Sequence, residues 1–199
     1  MEAMHTPQVL ADALLSAFEV HLLPATRASV ARGNKVFGAA ILRKNDLSVV
    51  LAGTNNETEN PLWHGEVHTI KLYHEMRERP APGELIFLSS HEPCSMCLSA
   101  ITWAGFDNFT YLFSYEDSRD AFAIPHDLKI MGEVFKLPDG DYRAENAFWR
   151  AQDLAGLIAA APEDERTVLE RREAAIRAAY DELSARYQAG KGENEIPLA

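Results

Sequence analysis

Residues 83–105 read GELIFLSSHEPCSMCLSAITWAG, and the two halves of this stretch ask for different backbones. Its first half, around Leu85–Leu88, is an apolar run bounded by turn residues, which predicts a buried strand. The second half, from the cysteines to Gly105, predicts a short helix. A strand passing directly into a helix is the building unit of an α/β sheet. At the joint stand Cys94 and Cys97, the only cysteines in 199 residues. A disulfide between them would close a tiny, strained loop. As metal ligands they would leave a tetrahedral zinc half empty. Their partner must come from another part of the chain.

Moving outward, the same alternation recurs. From Pro7, Val9, Leu10, Ala13, Leu14, Ala17 and Phe18 share one helical face, and Gly33 and Asn34 end the element. KVFGAAILRKNDLSVVLAG predicts an antiparallel hairpin turning at Asn45-Asp46, and GTNNETENP a polar loop. HGEVHTIKLYHEMRER predicts a helix stopped ahead of Pro80 and Pro82. NFTYLF is a further strand, and DLKIMGEVF a further helix introduced by Pro125 and Asp127. Residues 36–136 therefore predict a three-layer α/β domain around one mixed sheet of about five strands. After Gly140 the composition turns to Ala, Glu and Arg with no strand signal, and Pro162 divides it into two helices. In the second, Leu169, Ile176 and Leu183 recur every seven residues beside Tyr180 and Tyr187. That stripe either packs on the parent domain or forms a subunit interface.

Composition narrows the function classes. Hydrophobic residues at 47% and charged residues at 25% belong to a globular protein with a real core, so cysteine staples are not needed. With no basic stretch ahead of an apolar one at the N-terminus, and no apolar run near 20 residues, a cytoplasmic protein without membrane contact is expected. Thirty acidic against 19 basic residues, a net charge of -11, repel a polyanion, so nucleic acid is not the expected partner.

The missing ligand lies thirty residues before Cys94, in WHGEVHTIKL. His64 and Glu66 form H-x-E at the start of a predicted helix, and with PCSMC they complete H-x-E…P-C-x-x-C, the zinc-deaminase signature. One imidazole and two thiolates leave a zinc position open for water, whose pKa the metal lowers. Glu66, two residues from a ligand, is placed to carry that water's proton. A helix N-terminus lowers thiol pKa, which favours the thiolates zinc needs. A purely structural zinc and a thioredoxin-like redox pair are the competing readings; neither calls for Glu66. HGEVH is not H-E-x-x-H, so His68 and His74 are read as ordinary helix residues, and His91 as no ligand.

These motifs, with VFGAAIL, GTNN, EPCSMCLSAITWAG and EDSRDAFAIPHDL, resemble the cytidine deaminase-like superfamily from about Val9 to Phe135. Within it the chain is similar to the nucleoside and nucleobase branch that includes bacterial guanine deaminases and tRNA adenosine deaminases. The resemblance implies a five-stranded sheet, one zinc per chain on His64, Cys94 and Cys97, Glu66 as proton shuttle, and a homodimer. It implies that Asn55 and the Gly65 N–H contact the bound base. Relatives usually carry H-A-E after a small residue; here Trp63 precedes His64, as a stacking wall or a narrowing of the pocket. Phe37 is a second candidate for an aromatic face. Asp127 is the candidate for assisting proton transfer, with His126 and Asp117 as competitors and helix N-capping as its alternative role. Residues 1–140 are accordingly read as a zinc-dependent deaminase domain, 141–187 as a helical extension, and 188–199 as a disordered tail. The expected substrate is a small heterocyclic base or nucleoside, guanine or guanosine favoured. A tRNA adenosine, a pyrimidine or a triazine is the alternative, and a non-catalytic zinc module a reading of another class.

Overall fold

A computed structural model describes residues 5–199; the first four residues of the N-terminal stretch lie outside it. Five strands form one sheet in the order β2-β1-β3-β4-β5. They are β1 (Gly38–Arg43), β2 (Val49–Thr54), β3 (Leu85–His91), β4 (Asn108–Phe113) and β5 (Arg150–Asp153). β1 pairs antiparallel with β2 and with β3, whereas β3–β4 and β4–β5 are parallel. This is the expected mixed sheet.

Side chains alternate across it, as strand geometry requires. Ala39 and Ile41 of β1, with Leu85 and Phe87 of β3, face one core beneath α3 (Gly65–Glu75) and α4 (Ser95–Trp103). Ala40, Leu42, Ile86 and Leu88 face the other. That second core is covered by α1 (Pro7–Ala17), α2 (Leu23–Val30), α7 (Leu154–Ala159) and α8 (Glu163–Gly190). The heptad stripe Leu169, Ile176, Leu183 is buried there with Tyr180 and Tyr187, so it packs on the parent domain of its own chain.

The structure departs from the sequence reading in four places. The first helix is not one regular α-helix. A π-helical turn, Phe18–Leu22, joins α1 to α2, and the ladder widens just ahead of Pro24, which has no N–H to continue it. The resulting Pro7–Val30 helix, 24 residues at a hydropathy of 1.3, is long and apolar enough to cross a membrane by length and composition. Its apolar face, Leu14, Leu15, Phe18 and Leu22, is instead fully buried in the core. The second departure is β5, which comes from the segment read as purely helical. A short helix, α5 (Tyr115–Asp120), also precedes α6 (His126–Phe135). Finally, the tail expected to be disordered lies on the fold: Asn194 Nδ2 donates to the Gly33 carbonyl at 3.0 Å and Ile196 is buried.

Candidate active site

The site forms where two helices begin. His64 is the N-cap of α3, and Cys94 is the N-cap of α4 with Cys97 in its first turn. Pro93 sits one residue ahead of that cap rather than inside the helix. Polar side chains at helix starts face unpaired N–H groups, a favourable field for thiolate and carboxylate.

The three predicted ligands converge. Cys94 Sγ lies 3.5 Å from Cys97 Sγ and 3.6 Å from His64 Nδ1, and Cys97 Sγ lies 3.8 Å from the same nitrogen. Two thiolates and an imidazole around a tetrahedral zinc stand about 3.5–3.8 Å apart at ordinary bond lengths. The donor triangle therefore fits zinc in both chemistry and size. Hydrogen bonding from Cys97 holds the Cys94 thiol well below its usual range, against burial and with help from His64. Burial pushes the Cys97 thiol up. Burial opposes a charge on His64, but the hydrogen bond and negative charge of Cys94 win and raise it to about 9. Loading a metal displaces these protons.

Glu66, in the first turn of α3, is buried at 4% exposure. Ser89 Oγ of β3 donates to its Oε1 at 2.8 Å, and its Oε2 stands 3.2 Å from Cys97 Sγ. One oxygen is thus anchored and the other faces the metal ligands. Burial, followed by the charge of Cys94, raises its pKa, which suits a group that must both take and return a proton.

Asp127 does not cap α6, because Pro125 holds that position without any side-chain cap bond. Its carboxyl is pushed up to about 8 by burial and then by the charge of Cys94, with His64, Glu66 and Lys35 also acting on it. Asp127 therefore belongs to the same electrostatic cluster. Burial, and then the charge of Lys35, lowers the pKa of its neighbour His126. Asp117 is engaged elsewhere, in a capping box with Ser114 and an ion pair with Arg177 at 3.1 Å.

The remaining candidates divide. Asn55 is fully buried next to the triad's loop; its Nδ2 donates to Glu57 Oε2, and its Oδ1 has no partner among the described residues. Gly65 is pressed against β1: a Cβ there would meet Gly38 Cα at 2.6 Å. Phe37 lies in the aromatic core, its ring edge-on to His91 at 4.5 Å. Trp63 stacks on His68 at 5.5 Å, with Lys71 Nζ 5.2 Å from its ring centre, so one ring face is already covered. His91 is buried among Phe37, Phe113, Phe122 and Tyr180, away from any ligand role. Ser89, Glu57 and Lys35 were not singled out by the sequence. Ser89 looks like any strand serine, Lys35 stands at the start of the predicted hairpin, and Glu57 falls in a predicted polar loop.

Residues 14–113 match the family described as the cytidine and deoxycytidylate deaminase zinc-binding region. The chain belongs to that family. Its cofactor is zinc, and His64, Cys94 and Cys97 are the residues fitted to hold it. Guanine deaminase from Bacillus subtilis (strain 168) is 33% identical over 87 residues, 43% of this chain and 54% of that protein. The chain thus matches only about half the length of this curated relative. Among solved structures, a mutant of NE0047 in complex with 8-azaguanine superposes with a TM-score of 0.51 at 18% identity, covering 94% of this chain and 86% of that one. This likeness bears on the fold. A structure from a study of A-to-I editing by deaminases of the transfer RNA wobble position gives a TM-score of 0.46 at 20% identity, over 69% of this chain and 97% of that one, too low to weigh.

Proposed function

We propose that the protein hydrolytically deaminates a free purine base or nucleoside, guanine or guanosine in the first place, releasing ammonia. The observation that carries this reading is Glu66: a buried carboxylate, one oxygen tied to Ser89 and the other facing the His64–Cys94–Cys97 triangle. A structural zinc site has no use for it. The partial match to a guanine deaminase and the 8-azaguanine complex of the neighbour support the choice of base. The net charge of -11 weighs against a polyanionic substrate.

Zinc on the triad supplies a Lewis acid and lowers the pKa of water to near neutrality. Glu66 takes a proton from the attacking water and hands it to the ring nitrogen beside the amine-bearing carbon. It then takes the second proton, from the hydroxyl now on that carbon, and delivers it to the departing amine, so water plus aminopurine becomes oxopurine plus ammonia. Asp127, whose carboxyl burial holds above the usual range, is the second proton donor in this reading. Asn55 supplies a buried amide to the base edge, with its Oδ1 free to accept.

Ammonia release from zinc-loaded protein, measured against bases, nucleosides and nucleotides, tests the proposal. Activity on one purine should fall about 10²–10⁴-fold in Glu66→Ala while zinc stays bound. An unchanged rate would remove Glu66 from the chemistry. Turnover of a pyrimidine, a triazine or tRNA adenosine alone would reassign the substrate.

A further inference from the structure

Two buried charges beside the triad have no part in the chemistry above. Lys35 follows the turn after α2, and Glu57 lies in the loop between β2 and α3; their side chains are 6% and 1% exposed and pair at 3.0 Å. A buried ion pair is weak evidence for stability, because desolvation cancels most of its Coulombic gain. Its retention needs another reason.

The geometry of the Glu57 carboxylate supplies one. Oε2 accepts from Asn55 Nδ2, and Oε1 accepts from Lys35 Nζ. Oε1 also stands 3.7 Å from His64 Nε2, the ring nitrogen opposite the one facing the thiols. The imidazole is thus bracketed, with two sulfurs on the Nδ1 side and one carboxylate on the Nε2 side. A histidine that gives one nitrogen to a metal carries its proton on the other. At 3.7 Å the Glu57 carboxylate acts on that N–H by charge and not by a direct hydrogen bond, favouring that tautomer and ring orientation. Among the described residues no other carboxylate stands within 4 Å of a His64 nitrogen. Asn55 and Lys35 account for the carboxylate's other contacts and hold it in place.

We propose that Glu57, neutralised by Lys35, is a positioning residue that orients His64 for zinc. This rests on the zinc site and not on the identity of the base. The test reads the metal, so it stands even if no purine is turned over. Zinc affinity of the full-length protein is measured by competition with a chromophoric chelator, and the cobalt-substituted protein gives the ligand-field spectrum. Glu57→Gln should weaken zinc about 10–100-fold and shift the cobalt bands. Glu57→Asp, which keeps the charge, should recover part of the loss. Because Glu57→Gln leaves Lys35 unpaired, the double variant Lys35→Met, Glu57→Leu serves as the folded control. It should match the parent's thermal stability without metal yet still bind zinc weakly. Zinc affinity within twofold of the parent and an unmoved cobalt spectrum in either folded variant would overturn the proposal. Failure of both variants to fold would overturn it as well, assigning the pair to the scaffold.

Discussion

At the residue scale, the site depends on close approaches that only particular side chains permit. Gly65 is one. Its position against the Gly38 backbone leaves no room for a Cβ, which explains why glycine stands between His64 and Glu66 here. His91 is another. Its ring is buried among four aromatic rings, with Nδ1 at 2.9 Å from Ser90 Oγ and Nε2 without a partner among the described residues. Burial, and then Arg177, lower its pKa well below the ordinary 6.5. The unfolded chain therefore binds this proton more readily than the folded one. The contribution is complete above about pH 6.5 and is lost as pH falls toward the folded pKa, at up to about 1.4 kcal/mol per pH unit. Denaturant unfolding at about pH 7.5 and about pH 5.5 should show the parent losing more stability than His91→Gln. Equal losses would mean that His91 does not titrate in this window.

At the scale of elements, α8 braces the approach to the site. Arg177 reaches Asp117 of α5 at 3.1 Å, the Leu112 carbonyl at 3.1 Å and the face of Phe113 at 4.9 Å. Gln188 Nε2 donates to the Phe122 carbonyl at 2.7 Å, next to Ala123, which holds a left-handed φ of 54°. The segment so braced leads into Pro125 and Asp127. Arg177→Met should cost about 2 kcal/mol, seen as a lower urea midpoint at unchanged slope. A loss below about 0.5 kcal/mol would show the clasp to be ornamental. Most elements were legible from pattern because α/β strands and amphipathic helices carry strong periodicities. β5 was not. Arg150–Asp153 is a polar edge strand with three of its four residues exposed, and what makes it a strand is backbone pairing with β4.

At the scale of the whole molecule, residues on both sides of Gly140 share one core. Leu154, Leu157, Ile158, Leu169, Ile176 and Tyr180 pack with Leu14, Phe18 and Leu88. A chain ending at Gly140 would expose that face and the β4 edge, so it should lack cooperative thermal unfolding and aggregate. A soluble, cooperatively folding fragment that still binds zinc would show the C-terminal helices to be an accessory.

The sequence by itself determined the chemistry of the metal: H-x-E and P-C-x-x-C are local patterns, and each sits at a helix start that local signals mark. It also determined the alternation of strands and helices, through periodicity. What only the tertiary structure decided depends on distance across the fold. Glu57 and Lys35, twenty-two residues apart, become site residues because their loops fold onto His64. The α8 stripe had two possible partners by pattern alone. Burial against α1, α2 and the sheet chose between them, since an apolar face is satisfied by whichever surface the chain brings to it.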